Sequence, residues 1–103
     1  MFTKVVGVTF DNEDGSSRRM IIESMSLNDK IVLERDPYNE YDSNAVKVCV
    51  VKGGRKMQIG FLARNVAAEV SPKLRRGAQI TATIMNCGVY MDSPFCDLDI
   101  SGI

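Results

Sequence analysis

Residues Lys30–Val48 read KIVLERDPYNEYDSNAVKV, and this stretch decides how the rest of the chain is organised. Two apolar runs, Ile31–Leu33 and Ala45–Val51, flank a polar loop, and their β-branched residues are typical of strands. The loop between them, Asp36–Asn44, combines one proline and two tyrosines with Asn, Asp, Glu and Ser side chains. Because functional residues are often held on loops between rigid elements, this loop is the first candidate for a binding site.

Strand-like and helix-like segments follow one another along the whole chain. Apolar and β-branched runs predict six strands: Phe2–Phe10, Lys30–Glu34, Ala45–Val51, Lys56–Leu62, Ala78–Met85 and Phe95–Ile100. A Gly-Gly pair predicts a hairpin turn between the third and fourth strands, and residues 86–94 are predicted to be a turn region.

Two helices are predicted between these strands. The first is capped by Ser16 or Ser17 and extends to about Met25. The second has Asn65 as its N-cap, runs for about ten residues and ends at Gly77. Pro72 inside it is expected either to kink the helix or to begin a separate final turn.

The order β-α-β-β-β-α-β-β, with short strands joined by hairpins, excludes a doubly wound parallel sheet. It predicts an α+β, β-rich fold in which a small, curled antiparallel sheet forms an OB-like barrel of about six strands with two short helices.

Length and composition indicate one globular domain over residues 1–103, with 45% apolar residues. No apolar run approaches the roughly 18 residues that a membrane span needs, and the first residues lack the pattern of a signal peptide. The three cysteines, Cys49, Cys87 and Cys96, are unpatterned and are interpreted as reduced, mostly buried thiols. We therefore expect a cytoplasmic protein with no membrane partner.

Charge is balanced overall but unevenly distributed. The net charge is zero, yet residues 44–80 contain eight Lys and Arg residues and a lone acid, Glu69. Such asymmetry can mark an anion-binding face, or the bases can be scattered over a solvated surface. Charge alone favours the scattered arrangement.

The residue inventory gives little support to an enzyme. The chain has no histidine, so the usual general base near neutral pH is missing, and no cysteine has a partner that would activate it. Phosphate-binding and dinucleotide-binding motifs are also missing. The acids Asp36, Glu40 and Asp42 do not have the spacing of a calcium loop. The sequence thus predicts no catalysis, no cofactor and no metal.

Two interpretations of the loop residues are open at this stage. Asn39, Asp42 and Asn44 can build turns with their own backbone and need no ligand for that. Tyr38 and Tyr41 can either pack against the core or stack on a nucleobase, and their spacing does not decide between these alternatives.

Arg35–Val48 resembles the signature of the HIRAN domain, R-x-P-x-N-x-Y-D-x-N-A-[IV]-x-V. A second match follows at Ile59–Arg64, where the family usually reads [IV]-G-x-[LI]-x-[RK], before the alanine-rich segment at residues 67–69. Val6-Gly7-Val8 is a third, weaker match. The resemblance covers about residues 3–100, and the chain looks like a free-standing bacterial or phage-type member of the family.

The resemblance implies a non-catalytic nucleic-acid-binding module with a small OB-like barrel and two helices. In fork-remodelling, helicase-like ATPases the domain captures the 3′ end of single-stranded DNA, which implies a role in DNA repair or replication-fork processing. The implied partners are a single-stranded DNA 3′ end and a protein such as a helicase or nuclease.

Carried over by position, the resemblance implies that Asn39, Tyr41 and Asp42 hold the terminal nucleotide and that Arg64 pairs with a backbone phosphate. Tyr41 would stack on the last base, and Asp42 would accept a hydrogen bond from the free 3′-hydroxyl. The remaining predicted contacts are made by Phe61, Lys4 and Tyr38.

Three positions depart from the DNA-binding pattern of the family. Glu40 replaces a common proline, Phe61 replaces a polar residue, and Val5 stands beside Lys4 where an aromatic residue is expected. They support an alternative function, a protein-interaction or regulatory module that retains the fold but has lost the DNA pocket.

Overall fold

The computed structural model describes residues 1–103. Its elements, in chain order, are β1 (Phe2–Val6), α1 (Arg18–Glu23), β2 (Lys30–Arg35), β3 (Val46–Lys52), β4 (Arg55–Leu62), α2 (Arg64–Arg75), β5 (Thr81–Tyr90) and β6 (Ser93–Ser101). Neither helix has the length and apolar content that a membrane crossing requires.

The six strands form one antiparallel sheet in the order β2-β3-β4-β1-β6-β5. The sheet curls until its two edge strands, β2 and β5, contact each other without forming a hydrogen-bonded ladder. The predicted fold class is therefore confirmed, as an OB-like barrel that is open between β2 and β5.

The core lies inside the curl and is closed by the two helices. Val46, Val48 and Val50 alternate inward along β3, and Leu98 and Ile100 do so along β6. Further buried apolar residues come from α1 and α2, namely Ile21, Ile22, Val66, Ala67 and Val70. Full burial of a Val, Leu or Ile side chain stabilises the fold by about 1.5–3 kcal/mol, so this alternation fixes which face of each strand points inward.

The first strand is shorter than predicted, because Gly7 turns the chain. Gly7 has a φ of 70°, and its carbonyl accepts a hydrogen bond from the Phe10 amide at 3.3 Å. Phe10 therefore lies on an exposed turn outside β1. The predicted cap of α1 is confirmed at Ser17, whose side chain accepts a hydrogen bond from the Met20 amide.

Helix α2 begins two residues earlier than predicted, at Arg64 instead of Val66, and continues through Pro72. Ala63, which makes no side-chain capping bond, occupies the N-cap position that the sequence gives to Asn65. The predicted stop at Gly77 is confirmed: the amides of Gly77 and Ala78 donate to the carbonyls of Leu74 and Lys73 at 3.0 Å each. Such a pair of reversed bonds satisfies the last carbonyl groups of a helix.

The last two strands form a long hairpin: β5 begins three residues later than predicted, at Thr81, and both strands continue further toward the turn, to Tyr90 and from Ser93. The turn is only two residues long, Met91–Asp92, both with positive φ. This turn type matches the right-handed twist of a hairpin, and it usually contains Asn-Gly or Asp-Gly. The prediction of a turn over residues 86–94 was wrong because that signal is missing here.

Candidate functional site

Backbone hydrogen bonds close the base of the loop between β2 and β3. The Asp36 amide donates to the Ala45 carbonyl at 2.8 Å, and the Ala45 amide donates to the Asp42 carbonyl at 3.0 Å. One carboxylate oxygen of Asp42, Oδ1, accepts from the Asn44 amide at 2.9 Å. The turn-forming interpretation is thus correct for Asp42, and it leaves the second carboxylate oxygen of Asp42 for other partners. Asn44 contributes its backbone amide to this turn.

Asn39 holds the middle of the loop with its side chain. Its Oδ1 accepts from the amides of Tyr41 at 2.9 Å and Asp42 at 3.1 Å, and its Nδ2 donates to the Asp36 carboxylate at 3.1 Å. Asn39 thereby fixes the backbone from which Tyr41 and Asp42 project. Its predicted contact with a ligand stays a prediction.

The two tyrosine rings of the loop project into solvent. Tyr38 is 96% exposed and Tyr41 is 80% exposed. Core packing, one of the two alternatives left open by the sequence, is therefore wrong for both rings. Exposed aromatic surface on a loop held by side-chain hydrogen bonds is available for stacking.

Arg64, the first residue of α2, joins the loop to the helix. Its Nη2 donates to the Tyr41 carbonyl at 3.4 Å, and its Nε lies 3.9 Å from Asp42 Oδ2. The Arg64 side chain is otherwise exposed, whereas the Asp42 carboxylate is largely covered. The Arg64 guanidinium is thus held at the Asp42 carboxylate and at the backbone of Tyr41, whose ring is exposed.

An acidic cleft of about 380 Å³ lies against the two tyrosines. Its lining consists of loop residues and one residue from the turn before α1: Glu13, Asp36, Tyr38, Asn39, Glu40 and Tyr41. Three carboxylates near the rings disfavour a phosphate on that side of the loop, because like charges repel at short range. Arg64, which donates to the Tyr41 carbonyl, is not among the residues that line this cleft.

Phe61, near the end of β4, lies beside aromatic and cationic side chains. The Arg18 guanidinium carbon lies 5.4 Å from the Phe61 ring centre, within the range of a cation–π contact. The Phe61 and Phe10 rings both adjoin Gly7, since a Cβ added at that glycine would lie within 4 Å of each ring. The exposed Phe10 ring was missed as a candidate by the sequence analysis, where Gly7 was the signal of a break in the strand.

Arg18 is one of the two polar or charged residues in the core, at 8% exposure. Its Nε donates to Asn12 Oδ1 at 2.7 Å, and its Nη1 donates to the Gly7 carbonyl at 2.8 Å. Burial lowers the pKa of its guanidinium, which nevertheless stays charged in a protein. Arg18 thus supports the turn that carries Phe10 and the face of Phe61.

Replacing Arg18 with Met is expected to destabilise the protein by about 2–3 kcal/mol, because two acceptors lose their donor. Urea unfolding followed by circular dichroism measures this loss. The adjacent Arg19 is the control: its ion pairs to Glu23 and Asp92 are exposed, so Arg19→Met should destabilise the protein much less than Arg18→Met. Equal losses for both variants would contradict the structural role assigned to Arg18.

Lys4 lies apart from the loop. It is ion-paired with Asp97 at 3.1 Å and lies on the part of the sheet formed by β1, β6 and β5. No hydrogen bond or ion pair links Lys4 to Tyr41, Asp42 or Arg64. Its contact with a ligand stays a prediction.

The basic residues of the 44–80 region are scattered, as charge alone favoured. Lys52 pairs with Asp29 and Lys56 with Glu34, both near the β3–β4 hairpin, while Arg64 adjoins the loop. The remaining ones include the cluster at the end of α2, namely Lys73, Arg75 and Arg76.

No group of three or more Cys, Asp and Glu side chains has the proximity that a metal site needs.

Comparison with known proteins places this geometry in a family. The chain resembles the crystal structure of the HIRAN domain of human HLTF with a TM-score of 0.68, at 22% identity over 97% of this chain and 71% of that one. It also resembles a protein from Lactobacillus plantarum with a TM-score of 0.75, at 16% identity over 96% of this chain and 87% of that one. No curated protein matches significantly. The HIRAN domain family model matches residues 1–98, and the chain therefore belongs to the HIRAN domain family.

Proposed function

We propose that this chain is a non-catalytic module that binds single-stranded DNA and recognises its free 3′ end. HIRAN domains are known as nucleic-acid-binding modules and are generally non-catalytic. The observation that carries the finer proposal is the exposed ring of Tyr41, a residue whose backbone carbonyl accepts from the Arg64 guanidinium that also lies at the Asp42 carboxylate. Such a module would act beside a helicase or nuclease in DNA repair or fork processing.

Each of these three groups has a role that follows from its chemistry. The Tyr41 ring stacks on the terminal base, an interaction that tolerates any sequence. Asp42 Oδ2 is the carboxylate oxygen not bonded to the Asn44 amide, and it accepts a hydrogen bond from the 3′-hydroxyl. Arg64 pairs with the phosphate on the 5′ side of that nucleotide.

The acidic cleft supports recognition of an end over an internal nucleotide. An internal nucleotide carries a phosphate at the 3′ oxygen, and the carboxylates of Asp42 and Glu40 would repel it. A free hydroxyl has no charge and can donate to a carboxylate. Glu40, which departs from the family pattern, thus lowers general affinity for nucleic acid and sharpens the selection of an end.

The test compares oligonucleotides that end in a 3′-hydroxyl or a 3′-phosphate, titrated by fluorescence anisotropy at low salt. We expect the phosphate to weaken binding by about tenfold or more, equivalent to about 1.4 kcal/mol. Asp42→Asn removes one negative charge and should reduce the difference in affinity between the two oligonucleotides. Asp92→Asn, at the exposed tip of the β5–β6 turn, is the matched control and should leave that difference in affinity unchanged.

Salt dependence gives an independent measurement. Only one to three phosphates should be neutralised, so affinity should fall with a shallow slope in log salt. Equal affinity for the two ends in the wild type would reject 3′-end recognition, and a steep slope would indicate unspecific backbone binding.

The alternative function, a protein-interaction module with a lost pocket, predicts that the Tyr41 ring is buried and that Phe61 belongs to an exposed apolar patch. The ring is exposed, while Phe61 is half-buried and covered on one side by Arg18. The exposure of the Tyr41 ring favours the DNA-binding proposal.

A further inference from the structure

Two cysteines oppose each other across the long hairpin. Cys87 in β5 is paired directly with Cys96 in β6. The two-residue turn Met91–Asp92 makes Tyr90 and Ser93 the hydrogen-bonded closing pair, and hydrogen-bonded and non-hydrogen-bonded pairs then alternate along the ladder. Counting back from the turn, the cysteines form a non-hydrogen-bonded pair.

Such a pair has the spacing of a disulfide. Directly opposite residues at non-hydrogen-bonded positions have Cα atoms about 4.5 Å apart, with side chains on the same face. Disulfides usually join Cα atoms roughly 4.4 to 6.8 Å apart. Pro94 supports this assignment of the pairs. It lies opposite Val89 at the other non-hydrogen-bonded position, where a proline, which has no N–H, removes no hydrogen bond from the ladder.

Both cysteines are free thiols: Cys96 belongs to the hydrophobic core, and Cys87 packs against it. Cys96 is 1% exposed, whereas Cys87 is only partly buried, so reagents in solution can reach Cys87 first. Burial, followed by the neighbouring Cys87 and Asp97, raises the pKa of Cys96 to about 12. Burial and Asp29 also raise the pKa of Cys87. Both thiols are therefore slow nucleophiles at neutral pH.

We propose that Cys87 and Cys96 are a modification site that closes to a cross-strand disulfide when the protein meets a low-molecular-weight disulfide. In the first step Cys87 Sγ, as thiolate, attacks that disulfide; its S–S bond breaks, and the released thiolate takes up the proton that Cys87 lost. In the second step Cys96 Sγ attacks Cys87 Sγ and expels the second thiolate, which takes up the Cys96 proton. The two cysteines lose two electrons, and the reagent is reduced to two thiols.

Cys49 offers an internal comparison. It lies on β3, where its cross-strand neighbours are Val32 and Gln58, so no cysteine opposes it. It is also buried, and burial raises the pKa of its thiol. We expect Cys49 to stay reduced under conditions that close the pair.

The experiment incubates the folded protein with oxidised glutathione in mildly alkaline buffer and then measures free thiols and intact mass. The protein should lose two of its three thiols, and its mass should fall by two hydrogens. Peptide mapping should join Cys87 to Cys96, dithiothreitol should reverse the change, and the closed form should unfold at a higher urea concentration.

Variants identify the two sulfurs separately. Cys49→Ala should still lose two thiols, whereas Cys87→Ser should lose none by crosslinking. Because Cys96 is buried, Cys96→Ala serves as its variant; it should stop at a stable glutathione adduct on Cys87. A wild-type protein that stops at that adduct, links through Cys49 or forms only dimers would overturn the proposal.

Discussion

Tyr41→Ala is expected to weaken binding of single-stranded DNA by about 1–3 kcal/mol, or roughly 5- to 150-fold, while the unfolding free energy stays within about 0.5 kcal/mol of wild type. Under the proposed function, binding falls because the ring that is proposed to stack on the terminal base is removed. Stability is kept because that ring is 80% exposed. The contacts that hold the loop use the Tyr41 amide and carbonyl, which alanine retains.

Two further variants separate stacking from the general properties of an exposed tyrosine. Tyr41→Phe keeps the aromatic face and should bind nearly as well as wild type. Tyr90→Ala removes another exposed tyrosine, at the tip of the β5–β6 hairpin, and should leave affinity unchanged. Anisotropy titration with a 3′-hydroxyl oligonucleotide measures all three variants. Equal affinity of Tyr41→Ala and wild type would refute the assignment of Tyr41 as the stacking residue.

Gly60→Ala is expected to destabilise the protein by about 3 kcal/mol or more, a large part of the stability of a small domain. A Cβ at Gly60 would lie 2.4 Å from the Val6 carbonyl oxygen and 2.7 Å from Val5 Cγ1. The carbonyl belongs to backbone, which can give way only if β1 separates from β4. Both strands are central in the sheet, so the separation would also disturb the core.

Gly88→Ala is the matched control. Gly88 has a φ of 153°, close to the 158° of Gly60, but its Cβ would meet only the Phe95 ring at 3.6–3.8 Å, an ordinary contact. Positive φ alone should cost this variant about 1–3 kcal/mol, whereas Gly60→Ala, which adds the close approach of β1, should lose clearly more. Urea unfolding measures both proteins. Similar losses would mean that conformational preference and not close strand approach requires glycine at position 60.

The alternation of apolar residues and the chemistry of the turns were sufficient to predict most of the fold. The Ala45–Val51 run and the Gly53-Gly54 pair predict β3, its hairpin and β4, which the structure confirms within one or two residues. Gly77 correctly predicts the end of α2. These predictions succeed because burial on one face and positive φ at glycine are local constraints.

The β5–β6 hairpin and the start of α2 could not be predicted in the same way. Met91 and Asp92 adopt positive φ without a glycine, because the long ladder on both sides stabilises the turn. Ala63 occupies the N-cap of α2 although Asn65 is the better capping residue. At the hairpin turn and at the start of α2, packing and pairing over many residues outweigh the conformational or capping preference of a single residue.

For the candidate site, the loop signature by itself determined which residues belong together along the chain: Asn39, Tyr41 and Asp42 between two strands, with Arg64 after β4. Only the tertiary structure decided that both loop tyrosines are exposed, that Arg64 reaches Tyr41 and Asp42, and that Lys4 is paired with Asp97 elsewhere. It also decided that Cys87 and Cys96 face each other. The physical reason is that periodicity and turn preference act over a few neighbouring residues, whereas exposure, ion pairing and strand register depend on which segments the curled sheet brings into contact.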